Sequence, residues 1–187
     1  ILERDVEEPP ADNEAAWEEW KRTGVSQLRQ PHGLIGRTRH TLMTELPDLW
    51  QAIKECDTYT VDLKKFSPAR NEPEVPGDEL LRVEVMRRSS FERITSIAAG
   101  EQPGLTFRRG VAVKALSTRH GTHEIPIVNG VISETGELVP ADLVVDSAGR
   151  RTASPNWLQE IGARVYQWSE SDGFTYHSMW FRTTDGT

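Results

Sequence analysis

The stretch Ala141-Asp142-Leu143-Val144-Val145-Asp146-Ser147-Ala148-Gly149-Arg150 constrains the fold more than any other part of the chain. Leu143 to Val145 is a short apolar run that breaks off at small residues, the pattern of a strand buried in a parallel sheet. Asp146 to Gly149 then reads as a sharp turn at that strand's carboxyl end, the edge where ligands bind in open α/β sheets. Ser147, Ala148 and Gly149 carry no bulk, so the backbone there is able to approach a large ligand closely.

Length and charge narrow the possibilities. The chain has 187 residues, enough for one domain with a real core, and its net charge of -7 argues against nucleic acid as a partner. No apolar run approaches the ~20 residues that cross a bilayer. Ile1-Leu2-Glu3-Arg4-Asp5 does not read as a basic and then apolar signal segment. The single cysteine, Cys56, leaves no internal disulfide and no cysteine-based zinc site. A reducing, cytoplasmic setting is therefore expected. Ile1-Leu2 reads as the tail of a strand, and the run from Phe174 to Arg182 as a strand without a partner. The sequence is accordingly read as a piece of a longer chain.

Between these ends the pattern alternates. A short helix is expected around Asn13 to Lys21, with Trp17 and Trp20 on one face packing against the body of the protein. Residues 33–56 show helical spacing through Leu34, Ile35, Leu42, Leu46, Leu49 and Ile53, and Pro47 divides them into two helices. Residues 57–79 read as a loop or a pair of short strands, and Leu80 to Met86 as a strand. Ser89 with Glu92 three positions later forms a capping-box pattern, followed by a stripe of Phe91, Ile94, Ile97 and Ala98 and a stop at Gly100.

A β-rich stretch comes next, with runs at Leu105–Phe107, Val111–Leu116, Glu124–Val128 and Val131–Ser133. Asn129-Gly130 between the last two is a hairpin signal. After the Leu143 strand, Ser154-Pro155 reads as the capped start of a helix that Gly162 ends. Ala163–Trp168 and Phe174–Arg182 read as strands of another layer. A meander placed before a return strand is a variant of the dinucleotide-binding architecture.

These landmarks resemble those of the FAD-dependent monooxygenases of the aromatic hydroxylase and squalene epoxidase type. The resemblance is carried by Ile1 to Asp5, Gln27 to His32, Arg88-Ser89-Ser90-Phe91-Glu92, Gly110 to Val113, and Ala141 to Arg150. It implies an α/β fold: a truncated, Rossmann-like FAD-binding domain with an inserted β-meander over residues 1–162, and the start of a β-rich substrate domain over 163–187. It also implies roles for six residues. Glu3 ends a strand and accepts from the ribose hydroxyls of FAD. Arg29 lies in a segment that approaches the flavin, beside His32; a solvated loop arginine is the equally simple alternative. Arg88 reaches the phosphate and ribose region from a helix start, with Arg87 as an alternative to it. The backbone of Val113 lies against the adenine. Asp146 and Gly149 belong to the turn against the pyrophosphate.

The sequence departs from the family pattern in places. Ala148 stands where the commonest form has an acid, so Val145 to Arg150 fits the form Val-Asp-Ala-Thr-Gly-Arg better. The GxGxxG turn expected before Glu3, and the later Gly-Asp segment, are not in the sequence.

The function implied is oxidation of a small apolar organic substrate, by insertion of one oxygen atom, with FAD as cofactor and NAD(P)H as reductant. No side chain is required as acid or base, so no catalytic residue is assigned. A flavin-dependent reductase or halogenase is the enzymatic rival. A non-enzymatic α/β module, contacting a partner protein through the acidic segment Glu7 to Glu19, is the alternative from another class. His120 and His123 lack a third ligand and read as a surface turn. Tyr176, Trp180 and Phe181 are candidates for the wall of an apolar cavity, with core packing the simpler role.

Overall fold

Alternating and helical spacing both find partners in the computed structural model, but in different parts of the chain. It describes residues 1–121, 126–170, 173, 175, 177–181 and 184, with the side chain of Arg150 left out. The class is mixed α/β, with one parallel and two antiparallel sheets. Two compact units form, one from Ile1–Val6 with Phe107–Tyr176 and one from Glu7–Thr106 with His177–Thr187. They are called below the meander unit and the helical unit. No helix among the described residues is long and apolar enough to cross a membrane.

The helical unit is built on a three-stranded antiparallel sheet. Its strands are β2 (Pro31–Leu34), β3 (Tyr59–Asp62) and β4 (Arg82–Arg87), with β4 in the centre. Leu34 and Thr60 both lie opposite Glu84. Around the sheet stand α1 (Asn13–Glu18), α2 (Gly36–Glu45), α3 (Pro47–Lys54) and α4 (Arg88–Gly100). Pro47 does divide two helices: it sits in the first turn of α3, where its missing N–H costs nothing. Gly36 starts α2 because a Cβ there would stand 2.2 Å from the Leu80 carbonyl oxygen. Leu34, Leu42, Ile53, Met86 and Ile94 close into one core, each burial stabilising by about 1.5–3 kcal/mol. A second cluster joins Ala16, Trp20 and Leu28.

The meander unit pairs β1 (Leu2–Glu3) in parallel with β5 (Arg108–Arg109), Leu2 opposite Arg108 and Glu3 opposite Arg109. An antiparallel meander follows: β6 (Val113–His120), β7 (Pro126–Ser133) and β8 (Leu138–Pro140). Helix α5 spans Ser154–Glu160 and ends, as expected, at Gly162 in the left-handed region with φ 84°.

Several expectations are corrected. Asn129-Gly130 is no hairpin turn but the middle of β7. Glycine is needed there because a Cβ would lie 2.4 Å from the Val139 carbonyl oxygen on β8. The turn that joins β7 to β8 runs instead through Thr135-Gly136, with Gly136 at φ 89°. Leu105–Phe107 forms no strand. Ser89 does not cap α4: Arg87 is the N-cap, and Ser89 lies inside the helix, fully buried. Ala153, not Ser154, precedes the first residue of α5.

The Leu143–Val145 run pairs with no strand, and Leu143 and Val145 are 77% and 76% exposed. The last ladder-like bond before it runs from Ala141 N to Asn129 O, and beyond that no described strand lies alongside. Ala163–Trp168 is likewise unpaired, with Tyr166 and Trp168 exposed. In the expected last strand, Phe174, Tyr176 and Arg182 lie outside the described residues, and 177–181 carry no regular strand.

Candidate functional site

Four of the six candidate cofactor residues belong to the meander unit. Glu3 stands at the carboxyl end of β1, its carbonyl accepting from Val111 N at 3.0 Å and its Oε1 from Asp5 N at 3.0 Å. The second bond folds the chain back just after the strand. Val113 opens β6 opposite Ser133. Asp146 is the hub of its turn: it accepts from Ala148 N at 2.8 Å and from the hydroxyls of Thr152 and Ser154. The Ser154 and Thr152 hydroxyls hold its carboxyl below the ordinary aspartate value. Thr152 Oγ1 also accepts from Ser154 N, at 3.0 Å. Gly149 takes φ 75° with open space where a Cβ would be, so the turn's backbone, not crowding, requires glycine.

Arg29 and Arg88 belong to the helical unit. The Arg29 guanidinium donates to the carbonyls of Ala16 at 3.2 Å and Trp20 at 3.0 Å, tying down the end of α1. It also lies 5.6 Å from the centre of the Trp17 ring. Arg88 opens α4, with its own N–H bonded to Gln30 O at 3.0 Å. Its Nε donates to Glu92 Oε1 at 2.7 Å, and Nη2 reaches the same oxygen. Nη1 stands 3.5 Å from His32 Nδ1. His32 packs on Phe91, and burial, then the Arg88 charge, lower its pKa against the opposing pull of Glu92.

The structure separates the two neighbouring arginines that the sequence left open. Arg87 ends β4, pairs with Glu14 at 2.7 Å and lies over Trp17 at 5.1 Å. Arg88 stands at the start of α4, whose first N–H groups have no intrahelical acceptor. The Ser89 hydroxyl in that first turn is fully buried with no hydrogen-bond partner. This orphaned donor beside an arginine suits an anion.

Of the three aromatic residues named as candidates for an apolar wall, Trp180 lines a half-open cavity of the helical unit, about 300 Å³ in volume; Phe181 is not part of its lining and Tyr176 lies outside the described residues. Pro31, Val85 and Met86 from the sheet, Tyr59 from β3, and Met179 and Trp180 supply most of its wall, with Asp57, Arg87 and Ser178 as the polar contributors. Trp180 is fixed in place: it packs edge-on against Trp17 at 4.9 Å and donates from Nε1 to Arg29 O at 3.0 Å.

Sequence reasoning missed a buried carboxylate. Glu84 is wholly buried in the middle of β4 and accepts from Lys54 Nζ at 2.6 Å and Thr60 Oγ1 at 2.9 Å. Its role is structural, since both oxygens are satisfied. Among the described residues no group of three His, Cys, Asp or Glu could hold a metal, and His123 lies outside them. Neither a protein-family model nor a curated protein matches this sequence.

Proposed function

We propose that the chain is part of a flavin-dependent oxidoreductase, a monooxygenase or epoxidase acting on an apolar organic substrate. The observation that carries this reading is the parallel register of β1 and β5, which puts Glu3 at a strand's carboxyl end just ahead of an antiparallel meander. A carboxylate so placed is the one that accepts from a nucleotide ribose in dinucleotide-binding sheets. In the helical unit, support comes from the Arg88 side chain and the orphaned Ser89 hydroxyl at the start of α4. Asp146 shapes its turn through three hydrogen bonds and leaves Gly149 free of bulk. Of the six candidates, Arg29 is the one whose guanidinium is already engaged with backbone carbonyls.

FAD, when bound and reduced by NAD(P)H, would supply the oxygen-transfer chemistry. The meander unit's contribution is to hold the ribose at Glu3; the helical unit, taken by itself, offers an anion a place at Arg88.

The test is flavin titration of the purified protein. Visible flavin absorption in the purified protein is expected, and its absence at saturating FAD overturns the reading. Arg88→Ala should cost about 1.5–3 kcal/mol of flavin affinity, the worth of a charge-assisted hydrogen bond. Arg87→Ala should cost less, because Arg88, although paired with Glu92, stands in the first turn of α4 beside the unpartnered Ser89 hydroxyl, whereas Arg87 ends β4 over the Trp17 ring. The opposite order would move the contact to the end of β4.

A further inference from the structure

We infer that the cavity of the helical unit binds a small apolar molecule carrying a protonated amine, with Asp57 as the counter-ion at its mouth. Naming that molecule a substrate rests on the flavoenzyme reading above; the binding site itself does not.

The volume of about 300 Å³ stands at the small end of ligand pockets and fits a single ring with a short chain. The wall suits such a body. Val85 comes from a paired strand, and the thioether of the 77% exposed Met179 is a polarisable surface for a ring. Trp180 is held from behind by Trp17 and by its bond to Arg29 O, so that side is preformed.

The charges select the ligand's polar end. Two charged residues line the cavity, Arg87 and Asp57. Arg87 is neutralised by Glu14 at 2.7 Å and sits over the Trp17 face. Asp57 has no hydrogen-bond or ion-pair partner among the described residues, and it lies exposed beside the 62% exposed Tyr59. The cavity therefore offers an incoming molecule an unpaired negative charge and the π-faces of Tyr59 and Trp180, both of which attract a cation. A carboxylate would meet Asp57 while Arg87, the one cation among the described residues that line the cavity, is already engaged by Glu14. An amine is able to stay partly in water at the mouth while its apolar body is buried.

The test is calorimetric titration of the full chain, without flavin, using three probes of one shape: 4-phenylbutylamine, 4-phenylbutanol and 4-phenylbutanoate. The amine should bind about tenfold more tightly than the alcohol, as an exposed ion pair plus a cation–π contact allows. The carboxylate should bind most weakly. Asp57→Asn should bring the amine down to the level of the alcohol, and Asp57→Lys should reverse the order in favour of the carboxylate. Asp57 is exposed, so both variants should fold, and circular dichroism checks that they do. Equal binding of the three probes, no binding of any at millimolar concentration, or an amine preference that survives Asp57→Asn overturns the proposal. Because no flavin is present, these outcomes are separate from success or failure of the flavin titration.

Discussion

The helical unit and the meander unit use apolar side chains in opposite ways. In the helical unit, residues from two strands and three helices meet in one core, and Ile53 is completely buried. In the meander unit, Val131 is the buried apolar side chain among the described residues, while Leu143 and Val145 point into solvent. What organises the meander is the hydrogen-bond ladder of β6, β7 and β8, braced by the two-pronged contact of Arg108 with Glu137 at 2.9 and 2.5 Å. One unit is held by packing and the other by backbone pairing. Packing energy is lost when a volume is removed, whereas a ladder is lost when its geometry is blocked.

The largest effect should come from cutting into the packed core. Ile53→Ala should destabilise the helical unit by about 2–5 kcal/mol, through lost burial and the cavity left behind. Leu143→Ala, at an exposed site, should change stability by no more than about 0.5 kcal/mol. Amide hydrogen exchange resolves the two units: protection should fall in peptides from α2, α3 and α4 and persist in β6 and β7. Loss of protection throughout after Ile53→Ala would show that the units unfold as one, and the contrast would then be one of composition only.

A block in the ladder should be next in size. Gly130→Ala puts a Cβ against the Val139 carbonyl, a backbone atom with no flexible end to swing aside. The expected cost is about 1–3 kcal/mol, confined to β7 and β8. Unchanged exchange in those strands would mean that β8 is able to shift outward freely.

The smallest effect concerns the one charge sunk in the helical unit's sheet. Burial pushes the Glu84 pKa up, but the hydrogen bonds from Lys54 and Thr60 outweigh it and hold it below the ordinary value of 4.5. A carboxyl lowered on folding stabilises fully above that ordinary value and loses the contribution as pH falls through its folded value. Glu84→Gln should therefore cost about 1 kcal/mol at neutral pH and flatten the fall of stability in acid. Lys54 is 36% exposed and can turn to water, which keeps the cost small. An acid transition as steep in the variant as in the parent would assign that pH dependence to another carboxylate.

Much of the helical unit was legible from residue order. Pro47 announced a break between helices, and of the expected stripe Leu42 and Ile53 are buried on helices, while Leu34 is buried from a strand and Ile35 and Leu46 are exposed at helix ends. The same local logic failed in the meander unit. Asn129-Gly130 carries a turn signal, yet its glycine answers the close approach of Val139, a residue from another strand. Ser89 and Glu92 match a capping box, yet Arg88 takes the Glu92 carboxylate and leaves the serine buried.

The candidate site divides in the same way. Sequence alone determined an α-helix after Arg88, a turn at Asp146 to Gly149, and a chain without an internal disulfide, since each depends on near neighbours or on counting. Only the tertiary structure decided that Arg87 faces Glu14, 73 positions away. It alone decided that Glu84 is buried against Lys54, and that Asp57, without a partner among the described residues, stands beside an apolar cavity. The physical reason is one of range. Turns, caps and periodicity are set within a few residues, but the partner of a charge and the burial of a side chain are set by elements that meet across 30 or more positions of chain.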